Sequence, residues 1–175
     1  MTATPHPSEK SPQDFVITRV FDAPLALVWK AWSEPEHLKQ WWGPKGLGLE
    51  LIKMDFNPGG IFHYAMVMPT GQKMWGRFVY GDITPSTQLM FINSFADAQG
   101  SAIRAPFSPV WPLEVENIVT LADIGNGQTE LRLQGYPINA GEIEVQTFIA
   151  GHDSMRMGFG GTLDQLATYL AKNKG

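Results

Sequence analysis

The side chains able to do chemistry are few and scattered along this chain. Four histidines are present. His6 lies in a polar N-terminal stretch, and His37 in a short helical segment whose apolar positions are Leu38, Trp41 and Trp42, so both read as surface groups. His63 stands between Phe62 and Tyr64 in an alternating stretch, and His152 lies on an apolar helical stripe. If the fold brings these two together, they form a proton-transfer or ligand-orienting pair. The blander expectation, a hydrogen-bonded core or rim histidine in each case, has the stronger prior. No two histidines stand three or four residues apart, so a helical metal-binding pair is not expected. Glu114 and Glu116 share one face of a strand and read as a solvated edge or, less commonly, a carboxylate pair. Arg104 could meet an anionic head group or face water. No G-x-S-x-G elbow occurs, and the absence of cysteine removes thiol chemistry and disulfides. No catalytic residue and no cofactor are expected from these residues.

Aromatic residues are the better lead. Trp42, Phe62, Tyr64, Met66, Trp75, Phe91, Phe95, Trp111, Met155 and Phe159, with His63 and His152, are the candidate ligand-binding set. Each alone is more often core than lining. Together, around a helix notched by glycine, they could line an apolar cavity.

The elements that must position them are legible from periodicity. Phe15 to Phe21 is β-branched and aromatic, as a strand should be. Pro24 then opens a helix through Leu25, Val28, Trp29 and Trp32. Ser33 and Glu36 have capping-box spacing for a second short helix running to Trp42 and stopped by Gly43-Pro44. Strands are expected at 47–56, 61–68, 73–83, 87–95, 113–123 and 128–136, the last two joined by Gly125-Asn126-Gly127. Asn139 and Glu142 are the expected cap of a long terminal helix. On it Phe148, His152, Met155, Phe159, Leu163, Leu166 and Leu170 fall on one face. Gly151, Gly158, Gly160 and Gly161 interrupt this helix, each at a cost of about 1 kcal/mol relative to alanine. The reason is either close approach by another backbone or space left unfilled beside it. Residues 96–112, with three prolines and Ile103, Phe107, Val110 and Trp111, form a long loop that acts as a lid or a plug.

At 175 residues with 43% hydrophobic and 17% charged side chains, the chain is long enough for one domain with a real core. Residues 1–13 read as a flexible tail and 14–175 as the domain. A net charge of −4 without a basic run argues against nucleic acid. No apolar run is long enough to span a membrane, so no membrane partner is expected. A cytoplasmic location is expected.

The motifs in order resemble a known family. Phe21-Asp-Ala-Pro24 with Val28-Trp29, Trp41-Trp42-Gly43-Pro44, Pro58-Gly59-Gly60 with Phe62, Pro85 with Leu89, and Gly160-Gly161 to Leu170 are similar to the family named for the activator of the heat-shock protein 90 ATPase. The likeness runs from about Asp14 to Ala171. It implies the START-like, or SRPBCC, superfamily and its α+β helix-grip fold. That fold is a curved antiparallel sheet of about seven strands around a long C-terminal helix, with two short helices after the first strand. It also implies a cavity between sheet and helix, since superfamily relatives bind apolar molecules there and some catalyse cyclisation or hydrolysis. The expected function is binding of a small, largely apolar molecule in that cavity. A protein-interaction module of co-chaperone type and a cavity enzyme using His63 and His152 are the alternatives. A second copy of the chain, or a chaperone, are the further partners considered.

Overall fold

The structure is a computed structural model and describes residues 14–173. The expected tail over 1–13, and His6 with it, lie outside the described residues. Alternating apolar residues form β1 (Phe15–Phe21), β2 (Gly48–Met54), β3 (Ile61–Val67), β4 (Lys73–Thr84), β5 (Gln88–Ala96), β6 (Ala102–Ile103), β7 (Glu114–Gly125) and β8 (Gln128–Ile138). The helices are α1 (Leu25–Ser33), α2 (Pro35–Leu38), α3 (Glu142–Ala150) and α4 (His152–Asn173).

All strand pairs are antiparallel, in the order β1-β8-β7-β5-β4-β3-β2, with the short β6 beside the end of β5. The first strand therefore closes against the last. The expected hairpin forms, with Asn126 and Gly127 both at positive φ (57° and 71°), the conformation that an Asn-Gly tight turn supplies at little strain.

Side chains alternate across this sheet, and α1 and α4 pack on one face of it. The register aligns Phe62 with Phe78, Tyr64 with Gly76, and Phe91 with Tyr80, so these side chains share the inner face. Trp32 of α1 and Phe159 of α4 reach that face through Phe91 and Phe15 respectively. Leu163, Leu166 and Leu170 of α4 are buried, as the helical stripe requires. The edge strand β1 is held by α4: Arg156 Nη1 donates to the Val16 carbonyl at 3.0 Å, and Arg19 pairs with Asp164.

Several local expectations are corrected. The terminal helix is interrupted at Gly151, where the Trp111 ring occupies the place of a side chain. A Cβ at that position would come within 2.9 Å of Trp111. By contrast, nothing lies within 4 Å of where a Cβ would stand on Gly158, Gly160 or Gly161. The close approach at Gly151 is thus by a side chain, where another backbone was expected, and the expected open space stands at the other three positions. The cap of α3 is Gly141 with Glu144, whose carboxylate accepts the Gly141 N–H at 2.8 Å, not Asn139 with Glu142. Ser33 ends α1 and Pro35 opens α2, where its missing N–H costs nothing. That helix stops at Leu38, leaving Trp41 and Trp42 in the segment beyond it. Finally, the 96–112 loop contributes a strand: Phe95 pairs with Ile103 and Ala96 with Ala102.

Candidate functional site

Between the inner face of β3 and β5 and the first turns of α4 lies an apolar cleft of about 260 Å³. Trp42, Gly43 and Pro44 form its rim, Tyr64, Met66 and Phe95 its sheet wall, and Met155, Gly158, Phe159 and Thr162 its helix wall. Six of the twelve candidate residues therefore converge here: Trp42, Tyr64, Met66, Phe95, Met155 and Phe159. Why they converge follows from the local folding. Tyr64 and Met66 are two apart on one strand face, Met155 and Phe159 are four apart on one helix face, and Gly158 between them leaves its side open.

The rim is anchored by polar bonds to α4. Thr162 Oγ1 donates to the Gly43 carbonyl at 3.1 Å, and Gln165 Nε2 donates to the same oxygen at 2.6 Å. Trp42 stands edge-on to Phe78, with ring centroids 4.9 Å apart, and also meets Tyr64 and Phe159. Tyr64 lies flat across Gly76, where an added Cβ would come within 2.5 Å of its ring and hydroxyl. Burial pushes the Tyr64 phenol up, partly opposed by hydrogen bonds with the Trp42 and Asn93 side chains. It is therefore a neutral group at physiological pH.

Other candidates lie elsewhere. Phe62 and Phe91 share the inner face but are fully packed: Phe62 stacks on Tyr64 at 4.8 Å and Phe91 on Phe78 at 4.0 Å between centroids. They are core beneath the cleft, not lining. His63 and Trp75 point to the opposite face of the sheet, because each is one residue out of phase with Tyr64 and Gly76. There His63 Nε2 donates to the Asp97 carbonyl at 3.1 Å beneath the β5–β6 turn. His152 is on the inner side, between Phe15 and Phe148. The sheet thus separates the two histidines, and the alternative of a proton-transfer pair is not met.

Arg104 binds Glu144, not an open volume, and Tyr136 donates to Glu116 at 2.9 Å. Trp111 packs on Phe148 beside Gly151. Trp41 is buried with its indole N–H bonded to the Ala31 carbonyl, so it offers no surface. Among the described residues no cluster of three or more His, Asp or Glu is placed to hold a metal ion. No helix there is long and apolar enough to cross a membrane.

A larger groove of about 630 Å³ runs between α2 and the C-terminal half of α4. Its lining is polar, and much of it is already engaged. His37, read above as a surface group, is half-buried there and hydrogen-bonded to Tyr169, with Glu34 at 3.3 Å on its other nitrogen. Neither the aromatic candidates nor the glycine-notched stretch of α4 reaches it. The spacing of Glu34 and His37, three residues apart on one helical turn, was the available signal for this contact.

The fold is shared with solved structures. A protein from Arthrobacter aurescens aligns with a TM-score of 0.78 at 24% identity, covering 94% of this chain and 90% of that one. A protein from Nitrosomonas europaea gives 0.74 at 23% identity, covering 95% and 100%. One from Mycobacterium smegmatis gives 0.74 at 21%, covering 93% of each. No curated protein matches the chain. The family model described as Activator of Hsp90 ATPase homolog 1-like protein matches residues 22–171, spanning β2 to β8, the Trp42 rim and most of α4. On that match the chain belongs to the Activator of Hsp90 ATPase homolog 1-like family, with the START-like fold that its motifs implied.

Proposed function

We propose that the protein binds a small, largely apolar molecule in the cleft between its sheet and α4. The observation that carries this reading is the convergence of Trp42, Tyr64, Met66, Phe95, Met155 and Phe159 around unfilled space. Elsewhere on the inner face comparable aromatics close ring against ring, as Phe78 and Phe91 do. Here the helix carries glycine where a side chain would fill the gap. Leaving apolar walls apart costs the contacts they would otherwise make, and an apolar guest restores those contacts. The fold of the family supports the same reading at a coarser level, as a container commonly used for ligands.

Native mass spectrometry with a panel of aromatic, fatty-alcohol and sterol compounds tests this. At least one class is expected to bind the wild type, and Met155→Trp, which fills the cleft with its own ring, is expected to abolish that binding. Circular dichroism reports whether the variant keeps its fold. Absence of binding across the panel, or binding undiminished in folded Met155→Trp, would overturn the proposal.

A further inference from the structure

The strap between β6 and β7 is fixed at its root and bare near its tip. Arg104 binds the Glu144 carboxylate, and its Nη1 also donates to the Trp111 carbonyl at 3.3 Å. Trp111 packs on Phe148 with centroids 5.7 Å apart and seats itself in the gap at Gly151. Between these anchors Phe107 is 67% exposed. Its ring nevertheless meets Phe95 at 5.6 Å and Trp111 at 6.0 Å between centroids. Phe95 is itself a wall of the cleft. An exposed phenylalanine held against the margin of an apolar cleft is a surface already oriented for contact.

Size points the same way. At about 260 Å³ the cleft falls just below the range of roughly 300–1,000 Å³ in which pockets bury most of a ligand. A guest confined to it would be no larger than a fused pair of aromatic rings.

We propose that Phe107 is a ligand-contacting residue and that the strap is the outer wall of the same site. The ligand is then an elongated apolar molecule. One end sits among Trp42, Met66 and Met155, and the other crosses Phe95 onto Phe107. This rests on the cleft being a binding site, and it adds the length of the guest and the residue that reads it.

Two probes separate the two ideas: naphthalene, short enough for the cleft alone, and diphenylhexatriene, which is elongated. Binding of each is measured by fluorescence to the wild type, Phe107→Ala and Phe107→Trp, with sedimentation to report association state. Phe107→Ala should weaken diphenylhexatriene by roughly fivefold, the value of one aromatic contact. It should leave naphthalene unchanged, and Phe107→Trp should restore the longer probe. Because Phe107 is largely exposed, its removal is not expected to disturb the fold. Equal affinity for diphenylhexatriene in wild type and Phe107→Ala, with naphthalene still bound, would overturn the strap and leave the cleft standing. Loss of both probes in Phe107→Ala would make Phe107 a support of the cleft, which also overturns it. A wild type that binds neither probe would sink both readings, and a Phe107-dependent dimer would assign the residue to a second copy.

Discussion

Gly76→Ala makes the sharpest test of how the cleft is built. Gly76 faces Tyr64 directly across the β3–β4 ladder, and the added methyl would lie 2.5 Å from the Tyr64 ring carbon and hydroxyl. Carbon atoms rest about 3.5–4.0 Å apart, so the ring must move by about 1 Å. Phe62 and Phe78 press on it from its own face of the sheet. Overpacking of this kind costs about 1–3 kcal/mol. Replacing glycine in a strand returns about 0.5–1 kcal/mol, leaving a net loss of up to about 2.5 kcal/mol. For a domain of this size that lowers Tm by up to about 10 °C, measurable by scanning calorimetry. The reasoning also requires coupling: in a Tyr64→Leu background the same Gly76→Ala change should cost little or become favourable. An identical loss in both backgrounds would show that the clash is not with Tyr64. A Tm that rises in the single variant would refute the argument outright.

Gly160→Ala should have the opposite sign, because its Cβ enters open space. A gain of up to about 1 kcal/mol is expected from helix propensity, read as a higher urea midpoint with unchanged m-value. Tyr136 predicts an alkaline effect. Burial, and then the adjacent Glu116 that accepts its hydroxyl hydrogen bond, push its phenol up to about 12. A group raised on folding contributes fully below its unfolded value near 10. Its contribution is lost as pH climbs from there to about 12. Ultraviolet titration should show a phenolic transition near the upper end of that window, absent in Tyr136→Phe. Arg156→Ala removes the bond to the Val16 carbonyl and the cation over the Phe15 ring. A loss of about 1 kcal/mol is expected, with amide exchange accelerating first in β1.

How much was legible in the residues depends on the range of the interaction that decided each point. The strands, the Asn126-Gly127 turn and the buried stripe of α4 are written locally, as alternation, a turn dipeptide and a three-to-four spacing. So is the family likeness, because its motifs are the residues that make those elements. The wall residues Tyr64 with Met66, and Met155 with Phe159, were equally visible as pairs on single faces. What the sequence could not say is which face of each strand looks inward. His63 and Trp75 share strands with inner-face residues, yet an offset of one residue sends them to the far side. Reading them with Tyr64 therefore joined groups that the sheet keeps apart.

The reason for a glycine at 151 lies in the tertiary structure alone, since the ring of a tryptophan forty residues earlier takes the place of a side chain there. The cap at Gly141 is made by Glu144, which also binds Arg104 from the strap. Composition and periodicity thus determined the elements, their order and the greasy character of their inner surfaces. Whether those surfaces close or stand apart was settled only by packing: rings stack flush at Phe78 and Phe91, while α4 presents Gly158 to the cleft that remains. Chain-local patterns carry no information on such distances, because they arise from partners far removed in sequence.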